Sequence, residues 1–122
     1  MGRSVLLDLV RDSILEVYQA RRLIDKEALL AKHPILQTPI NCSVVVYIDG
    51  EAKNSYRSNT NEALIENIII SAKKALFEDP NHPPVSASKY LHVEIELTLH
   101  SEDGDMTQRD GAIIQDEKAL VM

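Results

Sequence analysis

The side chains suited to chemistry fall in separate parts of this sequence. His92, Glu94, Glu96, Thr98 and His100 occupy alternate positions of one segment. Histidines and carboxylates at that period share one strand face, where such donors can ligate a metal. Neighbours on that face stand about 7 Å apart, too far to share a small ion without a ligand from an adjoining strand. A solvated face is therefore expected, with no metal and no cofactor. Lys53, Ser55, Tyr56 and Arg57 form a second group. Ser55 and Tyr56 offer hydroxyls, and Lys53 and Arg57 offer cations for an anion. Strand alternation would put Lys53, Ser55 and Arg57 on one face. The competing reading is an exposed edge strand blunted by charge. His82 lies between Asn81 and Pro83 and can carry a proton near neutral pH, but no nucleophile sits near it in sequence. Cys42 is the single cysteine, which excludes an intrachain disulfide and a cysteine zinc cluster.

These residues need elements to position them. Leu6, Leu7, Val10, Ile14, Val17 and Tyr18 recur at spacings of three and four, which predicts an amphipathic helix over residues 4–21. A short helix follows near 25–31. Pro34 and Pro39 then bracket an irregular crossing, with His33 in a loop. Val44 to Ile48 is β-branched or aromatic and predicts a strand over 42–48. Asp49-Gly50 is a hairpin turn signal, so residues 51–57 should pair back. Leu64, Ile65, Ile68, Ile69, Ala72, Ala75 and Leu76 predict a helix over 60–77, capped by Asn59 with Glu62. It must stop before Asp79-Pro80. Alternation over 91–100 predicts a half-buried strand. An acidic turn spans 101–105. Asp110-Gly111 turns again before Ala112-Ile113-Ile114, and Asp116-Glu117 before Ala119-Leu120-Val121. Helices interleaved with hairpins define an α+β class: a mainly antiparallel sheet flanked by helices, in one domain over 1–122.

Composition excludes several functions. The net charge is −6, and the second half, residues 62–122, carries most of the acid. No basic footprint for phosphates appears, so nucleic-acid binding is not expected. No run approaches the ~18 apolar residues of a membrane span, and the start lacks a signal-peptide core. With its lone cysteine, the chain reads as a soluble cytoplasmic protein with no membrane association.

Several of these segments, in order, resemble the AMMECR family. Leu6–Tyr18 matches that family's opening helix in position, and Val44 to Glu51 its first hairpin. Ala63-Leu64-Ile65-Glu66-Asn67 is similar to its second helix. Phe77-Glu78-Asp79-Pro80-Asn81-His82-Pro83-Pro84-Val85 resembles its Asp-Pro-Arg-Phe-Pro-Pro-Leu loop, the most specific piece. Val93 to Leu99 resembles the following strand, and Asp110-Gly111-Ala112-Ile113-Ile114 a later Gly-Leu-Ile-Ile strand. The resemblance spans roughly residues 5–121. The family's Leu-Arg-Gly-Cys-Ile-Gly hallmark is replaced here by Ala52-Lys53-Asn54-Ser55-Tyr56-Arg57, in which only the basic residue survives in kind. The chain thus resembles a short, divergent member.

What the resemblance implies is an α+β fold without an established activity. Family members are often encoded with, or fused to, Memo-like and radical S-adenosylmethionine proteins. The leading expectation is a small binding or adaptor module. Its face combines Lys53, Ser55, Tyr56 and Arg57 with His82 of the 79–85 loop, and a protein partner or small anionic ligand docks there. The alternative is an enzyme or accessory factor in a protein or cofactor modification pathway. A third reading is a structural domain that assembles through its edge strand, as a homodimer would.

Overall fold

The computed structural model describes residues 4–114. Ser4 accepts a hydrogen bond from the Leu7 N–H and starts α1 (Val5–Gln19). Ala20, in the left-handed region at φ 53°, ends it. Leu6, Leu7, Val10 and Ile14 are buried as the spacing predicts, and Leu9 joins them. Val17, expected in the stripe, is 44% exposed, while Tyr18 beside it packs on Phe77 and Tyr90. Asp25 caps α2 (Lys26–Lys32) by accepting from the Ala28 N–H. The crossing at Pro34 is a single 3-10 turn, Pro34–Gln37.

β1 (Asn41–Ile48) and β2 (Glu51–Arg57) form the predicted hairpin. Asp49 and Gly50 both take positive φ, 53° and 81°, the geometry that matches the twist of a two-residue hairpin. α3 (Leu64–Phe77) begins later than the predicted residue 60, and the Asn59–Glu62 cap does not form. Thr60 instead donates to Asn67 Oδ1 at 2.6 Å, while Asn67 Nδ2 donates to the carbonyls of Ile40 and Glu62. These bonds hold residues 60–63 as a turn and bury Asn67 with its polar atoms satisfied.

α4 (Ala87–Tyr90) is a single helical turn started by Ser86, whose side chain accepts from the Lys89 N–H. Leu91 and His92 belong to the turn after it, so β3 (Glu94–Ser101) starts at Glu94. Hydrogen bonds from the His92 and Val93 N–H groups to Lys89 and Tyr90 carbonyls hold that turn. β4 (Gly104–Asp110) follows a tight turn at 102–103 and was not expected, since Met106 is its only apolar side chain. Its pairing comes from hairpin register, not from hydrophobic pattern. Ala112-Ile113-Ile114, expected as a strand, is irregular, with Ile113 and Ile114 47% and 44% exposed. The turn and strand expected over 116–121 lie outside the described residues.

The sheet order is β2-β1-β3-β4, and every neighbouring pair is antiparallel. The fold is therefore α+β. α1 and α3 pack on one face, over Cys42, Val44 and Val46 of β1 and Ile95, Leu97 and Leu99 of β3. Residues of the opposite parity point to the other face, which no described helix covers.

Candidate functional site

Pairing register assembles the open face. Ser43 of β1 stands opposite Arg57 of β2 on one side and Thr98 of β3 on the other. Val45 stands between Ser55 and Glu96, and His100 opposite Asp105 of β4. Paired residues point to the same side, so Arg57, Ser55, Ser43, Val45, Thr98, His100 and Asp105 share this surface. None of them is buried.

The residues expected to act together are divided by the structure. Between Val45↔Ser55 and Tyr47↔Ala52 the register shifts, so Lys53 and Asn54 both oppose Val46. This β-bulge breaks the alternation on which the shared face of Lys53, Ser55 and Arg57 depended. Lys53 turns instead to Glu51, at 2.9 Å. Ser55 and Arg57 remain together on the open face. Tyr56 lies on the helix side, half-buried against the core, with Lys74 Nζ 5.6 Å from its ring centre.

The loop 79–84 does meet β2. The Asp79 carboxylate accepts from the Ser55 N–H at 2.9 Å and lies 3.2 Å from His82 Nδ1. Asn54 Nδ2 donates to the Pro83 carbonyl. Hydrogen bonds from the Asn81 and Ser55 N–H groups, then His82, hold the Asp79 carboxyl below its ordinary value. Asp79 thus covers part of an otherwise open sheet edge, a common protection of edge strands. His82 is fixed by this loop through Asp79.

A different set comes together across β1, β3 and β4. Ser43 Oγ lies 2.7 Å from His100 Nε2, and His100 Nδ1 lies 3.1 Å from Asp105 Oδ1. A carboxylate facing Nδ1 favours the tautomer with its proton there, leaving Nε2 to accept from the Ser43 hydroxyl. Thr98 and Thr107 hydroxyls share a 2.9 Å bond beside it. Further along, Arg109 stacks 4.0 Å over the Tyr47 ring and reaches Glu94 and Glu96. The sequence placed His100 on a polar face. It held no sign of Ser43 as its neighbour, because 57 positions separate them and only register joins them.

Other polar clusters are architectural. An open depression of about 830 Å³ lies where the α1–α2 connection meets α3, lined by Glu16, Arg22, Asp25, Ile69 and Lys73 among others. Burial alone would raise the Glu16 carboxyl. Hydrogen bonds from the Leu23 N–H, Lys73 and the Ile24 N–H outweigh it and hold the group below its ordinary value. Glu16 therefore serves the chain turn. Cys42 is fully buried, its Sγ 3.6 Å from Ser71 Oγ, and burial pushes the thiol up, which suits an inert core residue. Among the described residues, no three His, Cys, Asp or Glu side chains gather to hold a metal ion. No described helix is long and apolar enough to cross a membrane.

No protein-family model matches the chain, and no curated protein matches it. Among solved structures it is similar to the uncharacterized protein PH0010 from Pyrococcus horikoshii, with a TM-score of 0.65 at 18% identity. The match covers 77% of this chain and 48% of that one, so this chain spans about half the neighbour's length. At that identity the likeness shows a shared α+β fold.

Proposed function

We propose that this chain is a small binding module of the AMMECR type, acting in the cytoplasm, whose contact surface is the open sheet face near Arg57. The observation that carries this reading is the register pair Ser43↔Arg57. It sets an exposed guanidinium beside two hydroxyls, Ser43 and Ser55, on a face that no helix among the described residues covers. In a chain of net charge −6, this local cation favours a phosphate- or carboxylate-bearing ligand. The 79–84 loop, tied to β2 through Asp79, forms the adjoining rim, with His82 on it. Lys53 contributes from the far side of the bulge.

Backbone amide NMR tests this with inorganic phosphate as probe. Shifts should concentrate at Ser43, Ser55 and Arg57. Arg57→Ala should abolish them and Lys53→Ala should weaken them only slightly. Shifts that survive Arg57→Ala, or that centre on the Glu16 depression, would refute the assignment.

A further inference from the structure

We propose that Ser43 is a nucleophile activated by His100 and Asp105, able to take an acyl group from a small ester that bears a negative charge. This rests on the binding reading only in using Arg57 as the anion contact. The chemistry itself stands on separate geometry. A hydroxyl 2.7 Å from an imidazole nitrogen, with the second nitrogen 3.1 Å from a carboxylate, is the arrangement that makes serine nucleophilic on unrelated folds. Here it is laid across three strands. His100 is mostly covered, its side chain 15% exposed, so its ring is held between Ser43 and Asp105 and not free in water. Ser43 is reachable from the open side.

The neighbours of Ser43 define what would fit. Arg57, opposite in register, can meet either a carboxylate on the substrate or the oxygen that gains charge during attack. Val45, next along the face, is the apolar side chain beside it, which suits a short acyl group. Asp105 acts through His100 and is a positioning residue.

The step balances with water alone. Ser43 Oγ attacks the ester carbonyl carbon while its proton passes to His100 Nε2. The bond from that carbon to the leaving oxygen breaks, and His100 returns the proton to the departing alcohol. Water then attacks acyl-Ser43, giving a proton to the same nitrogen. The carboxylic acid leaves, and Ser43 recovers the proton. Ester and water become acid and alcohol with no change of oxidation state.

The experiment uses p-nitrophenyl acetate and its anionic counterpart p-nitrophenyl hydrogen succinate on the full chain. Acyl adducts are located by peptide mass spectrometry. Ser55 shares the face, stands opposite Val45 in register and serves as the internal reference. Ser43 should acylate about 100-fold faster than Ser55 in the unaltered protein. His100→Ala should bring Ser43 down to the Ser55 rate. Asp105→Asn should slow it and Asp105→Glu restore it, a pattern that a merely structural role would not produce. Arg57→Ala should slow the succinate about tenfold relative to the acetate. Equal acylation of Ser43 and Ser55, indifference of Ser43 to His100→Ala, or an undiminished nitrophenolate burst in Ser43→Ala would overturn the proposal. The Ser43 to Ser55 ratio needs no variant, so a misfolded substitution cannot shield it. Phosphate shifts at Arg57 without Ser43 acylation would refute this inference and leave the binding reading intact. Acylation of Ser43 with no succinate preference would refute Arg57 as the anion contact, and with it both the binding reading and the charged-substrate half of this inference.

Discussion

The two faces of the sheet carry opposite kinds of information. The helix side of β1 and β3 is a continuous apolar layer, Val44, Val46, Ile95, Leu97 and others, each essentially inaccessible. The open side of the same strands is a chain of polar contacts, Ser43 to His100 to Asp105 and Arg109 to Glu96. Burial on one side makes the register costly to change, since a one-residue slip would turn every apolar side chain outward. That rigidity aligns the groups on the other side. The stability of the fold and the precision of the surface therefore come from the same pairing.

The sharpest way to break this contrast is to put a charge on each face in turn. Ile95→Asp places an unpaired carboxylate in the core and should cost at least about 4 kcal/mol, enough to unfold much of the protein. Glu94→Ala, one residue away and partly exposed, should stay within about 0.5 kcal/mol. Denaturant melts compare them, and similar losses would mean that the faces are misassigned.

A smaller effect is expected where the helix layer meets the end of the sheet. Arg11 is 1% exposed, with Nε 2.7 Å from Asp110, Nη2 2.8 Å from the Gly111 carbonyl, and its guanidinium 5.2 Å from the Tyr90 ring centre. Arg11→Ala removes one partner of a buried ion pair and should cost about 3 kcal/mol. Amide exchange should speed up first in β4 and at Gly111, the chain that Arg11 pins against α1. Uniform acceleration across the molecule would contradict a local staple.

Smaller still is the tether at the opposite edge. The folded Asp79 carboxyl lies below its ordinary 3.8, so the unfolded chain binds a proton there more readily than the folded one. Its contribution is complete above that ordinary value and fades as pH falls through the lowered folded one. Acidification should therefore loosen the Ser55 amide at low pH, without an equivalent change at Val45. Asp79→Asn should loosen it already at neutral pH and flatten the pH dependence, as read by amide exchange. Smallest of all is Arg57→Ala, which should leave the melting temperature nearly unchanged while affecting ligand contact.

Much of this fold is written in local pattern. The Asp49-Gly50 hairpin, α3 with its apolar stripe, its stop before Asp79-Pro80, and the alternation of β3 each depend on residues within a few positions of one another. Local pattern misled where a neighbour supplied a stronger bond. Thr60 and Asn67 displaced the expected cap, and the turns after Tyr90 displaced the first residues of the strand. β4 was illegible because a polar strand paired on one side has neither a buried face nor an apolar period. The candidate site was only partly legible. Ser55 and Arg57 stand two positions apart and do share a face, but the extra residue at Lys53-Asn54 is a property of pairing and leaves no mark in composition.

The sequence by itself determined the class of fold, the stop of α3 before Asp79-Pro80, the turn of the β1–β2 hairpin, and which side of β3 meets water. Periodicity and turn chemistry act over a few residues and are carried by the side chains themselves. Only the tertiary structure decided that Arg57, Ser43, His100 and Asp105 form one line across four strands. That line requires three registers at once, and register is set by which apolar residues fit beneath the helices, a competition among segments far apart in the chain.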